Sequence, residues 1–185
     1  MNVYECRGVA DCELVDVITR AEYETLHRYL GDAKWVSSVD PGEYEPEVSA
    51  RIIVTEFNGK RLSYSDAPWR MTFDMFVRES ARQAFDGSGA KLLPVSCNDG
   101  ALFAVACPVV PAYDLEQTVP RRIPGVTRVM GAKKPVFRPE LVEALHVFRD
   151  NSLDCMSPVY VTERFVERWH GLGLKGLEFG QFWLE

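Results

Sequence analysis

The sequence has 185 residues, of which 46% are hydrophobic and 26% charged, so it can form one domain with a sizeable core, residues 1–185. Two lobes, residues 1–70 and 71–185, are the alternative division. No run approaches the roughly 18 apolar residues that a membrane helix needs, and the first residues lack the features of a signal peptide. These properties predict a cytoplasmic protein with no membrane partner.

The net charge of −6 is distributed unevenly along the chain. Residues 119–139 carry six cations and no acid, so the remainder of the chain carries −12. A surface this acidic repels nucleic acid and attracts basic proteins, because long-range fields steer association. The basic stretch also lacks the interleaved aromatic side chains of a platform for single strands. We therefore expect a protein partner and no nucleic acid.

Cysteine and histidine give no pattern typical of a metal or redox site. The five cysteines include no C-x-x-C pair and are expected to be reduced structural thiols. The histidines, His27, His146 and His170, are far apart and lack ligand spacing, so we expect no metal and no cofactor. A spatial pair of Cys155 with His146 or His170 is the alternative, since a nucleophile and its base need not be close in sequence.

In the first third of the chain, residues 19–30 have apolar side chains at helical spacing, with Thr19 as N-cap and Gly31 after the end. Residues 39–48, "VDPGEYEPEV", predict a loop. The β-rich run "SARIIVTEF" then leads through the turn "NGKR" into "LSYSD", which predicts a hairpin.

The middle of the chain contains an apolar stretch followed by a proline-rich one. Residues 100–115, "GALFAVACPVVPAYDL", predict a buried central strand. Residues 117–140 hold four prolines and predict a long loop with a short strand at "VTRVM".

An internal repeat relates residues 76–95 to residues 160–179 at an offset of 84 positions. The identical pairs are Val77/Val161, Glu79/Glu163, Gly87/Gly171, Gly89/Gly173, Lys91/Lys175 and Leu93/Leu177. Each copy predicts a strand, a helix ended by glycines, and a second strand. We therefore expect an α+β fold with a mixed or antiparallel sheet, a few short helices and two similar strand–helix–strand units.

The second copy shows the features of the unit most clearly. Thr162 is the expected N-cap, and an apolar stripe of Phe165, Val166, Trp169 and Leu172 is expected to face the core. In the first copy the corresponding packing is assigned to Ala81, Ala84 and Phe85.

Neither glycines nor carboxylates in this sequence indicate a catalytic site. The motif G-x-G-x-K occurs in both copies of the repeat, but its glycines follow a helix. In phosphate-binding loops the glycines precede a helix, so that the N–H groups of its first turn face the anion. Asp114 and Glu116 are expected on one face of a strand, and Asp150 and Asp154 on one face of a helix. We interpret them as solvated acids or partner contacts and predict no catalytic residue.

The basic stretch, Trp183 and acids of the second half of the chain are the predicted contacts for a partner. Trp169 is expected in the core, whereas Trp183 is assigned to an interface, with packing of a last strand as its alternative. The predicted partner-binding residues are Arg121, Arg122, Arg128, Lys133, Lys134, Trp183, Asp114 and Glu116.

Three motifs occur in the order "FVRESARQAFDGSGAKLLPV", "VVPAYDLEQT" and "VYVTERFVERWHGLGLKGLEF". With these motifs, residues 73–183 resemble a family of immunity proteins from bacterial polymorphic toxin systems. It is the family numbered eleven, formerly a domain of unknown function. The resemblance implies a non-catalytic cytoplasmic protein that binds and neutralises a cognate toxin, usually encoded beside it. If that toxin is a basic nuclease, acids are expected to dominate binding, among them Asp74, Asp86, Asp114, Glu163 and Glu167.

Two other functions remain open at this point. One is an enzyme of unrecognised type with a site near Cys107, Asp114 and His146, or on the basic stretch. The other is an accessory or scaffold protein of a secretion system. Paired edge strands could also form a homodimer.

Overall fold

The computed structural model describes most of the chain, with the largest gap in the first third. The described residues are 2–17, 50–69, 75–122, 129–153, 155 and 157–181. The helix predicted over residues 19–30 and the loop predicted over residues 39–48 lie outside them.

The first five-stranded sheet joins strands from distant parts of the sequence. Its strands, in spatial order, are β14 (Leu177–Gln181), β1 (Val3–Gly8), β13 (Tyr160–Thr162), β12 (Val147–Asp150) and β9 (Val109–Val110). Neighbours are antiparallel except β12 and β9, which are parallel. Strand β1 therefore brings together two strands from the end of the described chain.

The second five-stranded sheet is built mainly from the middle of the chain. Its strands, in spatial order, are β2 (Leu14–Val17), β3 (Ala50–Val54), β7 (Lys91–Cys97), β8 (Leu102–Ala106) and β6 (Phe76–Arg78). Only β3 and β7 are parallel. Strand β8 lies between two neighbours and is largely buried, which confirms the predicted buried central strand for residues 102–106. The single strand predicted over residues 100–115 is wrong beyond that point, because the chain continues as β9 in the first sheet.

Short elements complete the fold. Two ribbons are formed by β4 (Glu56–Phe57) with β5 (Lys60–Arg61) and by β10 (Val119–Arg122) with β11 (Val129–Lys134). The helices in the described part of the chain are a 3₁₀ helix (Glu79–Phe85), α1 (Pro139–Val142) and α2 (Glu163–Gly171). Mixed sheets with a few short helices confirm the predicted α+β fold.

The hairpin predicted around "NGKR" is present but shorter than expected. Its strands are β4 and β5, and Asn58 and Gly59 at the turn both have positive φ, as a two-residue hairpin turn requires. The preceding run "ARIIV" forms β3, which pairs with β2 and β7 instead of with the hairpin.

The two copies of the sequence repeat have the same topology. One copy is β6, the 3₁₀ helix and β7, and the other is β13, α2 and β14. Strands β6 and β7 lie on either side of β8, and β13 and β14 lie on either side of β1, with antiparallel pairing throughout. Each unit thus encloses one strand from elsewhere in the chain, which confirms the two predicted strand–helix–strand units.

The helices of the two units pack together in the main core. Phe85 and Phe165 meet edge to face with ring centroids 5.1 Å apart. Trp169 is fully buried and stacks on Phe165, as the apolar stripe predicts. Leu172 was expected on the same stripe but is 39% exposed, at the C-cap position that follows the last residue of α2.

A polar cluster around Arg78 joins the first helical unit to the N-terminal strands. Its guanidinium lies 2.9 Å from the Glu13 carboxylate and 2.8 Å from Asp99, and its Nε donates to the carbonyl of Ser65. The Arg78 and Glu13 side chains are only 12% and 10% exposed. Removal of one partner therefore leaves the other charge largely desolvated and uncompensated.

We expect Arg78→Ala to lower the free energy of unfolding by about 3 kcal/mol, because the Glu13 carboxylate then stays buried without its cation. Urea denaturation measures the loss. Arg82→Ala is the matched control, since Arg82 forms an exposed pair with Glu79 and a contact with the face of the Phe103 ring, and it should cost less than about 1 kcal/mol. Equal losses in the two variants would contradict a special role for the Arg78 cluster.

Gly176 is held in a tight contact that only glycine fits. A Cβ at this position would lie 1.7 Å from Ser65 Oγ, and its φ of +100° disfavours other residues. We predict that Gly176→Ala destabilises the protein by about 2–4 kcal/mol, measured as a shift of the urea midpoint. Gly173→Ala, at φ +67° with open space around it, should cost about 1 kcal/mol. A smaller effect at Gly176 than at Gly173 would refute this account.

Candidate protein-binding surfaces

The basic stretch folds as a β-hairpin. Strands β10 and β11 pair antiparallel with two register shifts, so the long loop predicted over residues 117–140 is wrong for residues 119–122 and 131–134. The short strand predicted at "VTRVM" coincides with β11 at residues 129 and 130, and its first three residues lie outside the described ranges. Pro120 is accommodated because each strand of a two-stranded ribbon is an edge, where a missing N–H need not break a ladder. The prolines that suggested a loop are therefore compatible with this ribbon.

Four of the predicted partner contacts lie together on this hairpin. Arg121, Arg122, Lys133 and Lys134 are exposed. Two large apolar side chains, Leu115 and Val119, are also exposed at its base, at 58% and 46%. The predicted contacts Arg128 and Trp183 lie outside the described residues. Exposed apolar groups beside cations are a combination found at protein interfaces.

A turn at residues 114–117 supports the base of the hairpin. The Asp114 carboxylate accepts hydrogen bonds from the backbone N–H groups of Glu116 and Gln117 and from the Gln117 side chain. These bonds, led by the Gln117 amide, lower the pKa of Asp114. Asp114 and Glu116 are therefore not on one face of a strand, as predicted. Asp114 stabilises the turn, while Glu116 is exposed.

Thr118 fastens the two ends of the hairpin to each other. Its hydroxyl donates to the carbonyl of Val136 at 3.1 Å and accepts from the N–H of Val136 at 3.0 Å. The N–H of Asp114 also donates to the Val136 carbonyl, at 2.8 Å. The base of the hairpin is therefore fixed by three bonds to one residue.

Below this base lies a buried aromatic cluster. Tyr113 and Tyr160 share a hydrogen bond of 2.5 Å between their hydroxyls, and the Phe137 ring lies 5.4 Å from Tyr113 and 5.0 Å from Tyr160. Burial raises the pKa of both tyrosines. The cluster anchors the hairpin to the first sheet through packed rings.

Asp150 completes the support of the hairpin. It is buried at the end of β12, where it accepts hydrogen bonds from the N–H of Tyr113 and from the N–H and hydroxyl of Ser152. Burial raises its pKa, opposed by these bonds. The prediction of a helix face for Asp150 and Asp154 is wrong for Asp150, which is a strand residue with a structural role; Asp154 lies outside the described residues.

An acidic groove lies at the start of α2, and the sequence did not predict it as a unit. It has a volume of about 230 Å³ and is lined by Glu143, Thr162, Glu163, Arg164 and Glu167. Helix α2 supplies three of these residues and its N-cap supplies Thr162, whereas Glu143 follows α1. The spacing of Glu163 and Glu167 was the only local signal, since residues four apart share a helix face.

The residues of the alternative enzyme hypothesis lie in three different surroundings. Cys107 is buried in the main core, where its Sγ lies 3.9 Å from the carbonyl oxygen of Val105. Asp114 stabilises the surface turn. His146 precedes β12, and its pKa is lowered by burial first and then by Arg168 and Arg164.

The five cysteines, all within the described ranges, are reduced thiols. Within the described ranges, no group of three or more His, Cys, Asp and Glu side chains could hold a metal ion. No helix in the same part of the chain is both long and apolar enough to cross a membrane. In comparisons with known proteins, the sequence matches no protein-family model and no curated protein.

The lowered pKa of His146 has a consequence for stability. Its Nδ1 is buried with no hydrogen-bond partner, so the folded state favours the neutral ring. As the pH falls below the ordinary histidine pKa of about 6.5, the unfolded chain takes up a proton first, and the free energy of unfolding decreases. We expect His146→Gln to lose less stability than the wild type between pH 7.5 and 5.5 in urea denaturation. Identical losses would show that His146 is not involved.

Proposed function

We propose that the protein is a non-catalytic binding protein of immunity type, which neutralises a cognate toxin in the cytoplasm. The observation that carries the proposal is the basic hairpin. It presents four exposed cations and two exposed apolar side chains on a base fixed by hydrogen bonds and packed rings. A base that is already fixed in the free protein reduces the conformational entropy lost on binding. The resemblance of residues 73–183 to immunity-protein family eleven supports the same function.

The chemistry of the buried polar groups also favours binding over catalysis. Asp150, Tyr113 and Tyr160 have raised pKa values, which in an enzyme would mark candidate acids or bases. Here their polar atoms are engaged in hydrogen bonds to one another or to neighbouring backbone and hydroxyl groups. Burial raises these pKa values, and the same burial places the three groups in the support of the hairpin, so the shifts need no catalytic role.

Both signs of charge are displayed in separate regions, which suits a folded protein partner. The hairpin is basic, while the groove at α2 contains three carboxylates and one guanidinium. A polyanion would be repelled by the acidic remainder of the chain, whereas a protein with its own charge pattern can match both regions.

The function is tested by co-expression with the product of the neighbouring gene. We expect the protein to restore growth of cells that express the toxin and to co-purify with it. Absence of both rescue and co-purification would refute the proposed function.

The role of the hairpin is tested by charge reversal. We expect Lys133→Glu with Lys134→Glu to weaken toxin binding at least about tenfold at low salt, with a smaller effect at high salt, because exposed charges are screened. Surface plasmon resonance at two salt concentrations measures this. Lys175→Glu, at an exposed lysine outside the hairpin, is the control. Equal binding by the double variant and the control would place the contact elsewhere.

A further inference from the structure

The acidic groove contains carboxylates that the chain itself does not neutralise. Glu163 and Glu167 are four residues apart on α2, where like charges destabilise a helix by a few tenths of a kcal/mol. Among the described residues, neither they nor Glu143 forms an ion pair within 4 Å, and Glu163 accepts only one side-chain hydrogen bond, from Asn2. Arg164 also lines the groove, which leaves a formal excess of two negative charges.

An unsatisfied hydroxyl lies in the same groove. Thr162 is 2% exposed, whereas the other four lining residues are exposed, so Thr162 forms the deepest part of the lining. It occupies the N-cap position of α2 but makes no capping hydrogen bond, and its Oγ1 has no partner. A buried hydroxyl without a partner costs stability, so a donor group placed in the groove would find an acceptor there.

The other copy of the repeat shows what a cation does at the corresponding place. The offset of 84 positions relates Thr162 to Arg78, and both residues directly precede the helix of their unit. The guanidinium of Arg78 lies between the carboxylates of Glu13 and Asp99. In the second unit this position is a threonine, and it lies beside the carboxylates of Glu163, Glu167 and Glu143 with no cation of its own.

The size of the groove limits what can enter it. Pockets for drug-sized ligands and cofactors have volumes of about 300–1,000 Å³, whereas this groove has about 230 Å³. It can accept the end of one long side chain. Guanidinium and ammonium groups supply several N–H donors and a positive charge, which match carboxylates and a hydroxyl acceptor.

We propose that the groove of Glu143, Thr162, Glu163 and Glu167 binds a lysine or arginine side chain of the protein partner. The inference rests on the proposed function, since the partner is the toxin, and it assigns to the toxin a protruding cationic residue. The toxin would then contact two regions of the protein, the acidic groove and the basic hairpin.

The groove is tested first without the toxin, by titrating argininamide into the ¹⁵N-labelled full chain. We expect the amide signals of residues 162–167 and Glu143 to shift and saturate. Citrullinamide, which has nearly the same shape but no charge on the side chain, is the control ligand and should cause much smaller shifts. Equal shifts with the two ligands, or no shift with argininamide, would overturn the proposal.

Two variants separate binding from folding. Glu163→Gln with Glu167→Gln should weaken argininamide binding about tenfold, whereas Glu56→Gln, at an exposed acid of β4, should leave it unchanged. Thr162→Val removes the unpartnered hydroxyl with little change of shape. It should weaken argininamide binding without lowering the urea midpoint, and a lowered midpoint with unchanged binding would contradict a ligand role.

The toxin arm distinguishes this inference from the proposed function. If the wild type binds the toxin, the double glutamine variant should bind at least about tenfold more weakly, and unchanged binding would overturn the assignment of the groove to the toxin while the proposed function stands. If the wild type does not bind the toxin, the proposed function is refuted, and so is the assignment of the groove to a side chain of the toxin. The argininamide titration then decides whether the groove binds cations at all.

Discussion

The two helices of the repeat meet through the rings of Phe85 and Phe165, and this contact joins the two five-stranded sheets through the main core. The 3₁₀ helix connects two strands of the second sheet, and α2 connects two strands of the first. Arg168 of α2 also donates to the carbonyls of Ala84 and Asp86, at the end of the 3₁₀ helix, where carbonyl groups lack helical partners. Packing and hydrogen bonding therefore act at the same junction.

Much of this architecture could be predicted from the sequence because it is encoded locally. Apolar spacing and terminal glycines identified both helical units, and the burial of Trp169 followed from its place on the stripe. Leu172 was misassigned because the helical spacing of apolar residues continues in the sequence past Gly171, the last residue of α2. The hairpin was missed for a different reason, since proline content was taken to exclude pairing, and an isolated ribbon tolerates Pro120.

The two candidate surfaces differ in how far the sequence could reveal them. The cations of the hairpin are close in sequence, so their proximity in space required only that the segment fold back on itself. The groove requires Glu143 to approach α2, and that approach depends on long-range pairing of β12 with β13. The charges within one segment do not indicate which distant segment will pack beside it. Glu163 and Glu167 could therefore be predicted as partner contacts, but not as one site together with Glu143.

The internal repeat has a consequence for how such a protein can change over generations. Arg78 of the first unit corresponds to Thr162 of the second. Arg78 forms a largely buried ion pair with Glu13, so its side chain contributes to the stability of the fold. The exposed glutamates of α2 lie on the face opposite the buried Phe165 and Trp169, so substitutions among them leave the core intact. The second unit can therefore acquire a new binding preference by a few surface substitutions, while the core formed by both units is kept.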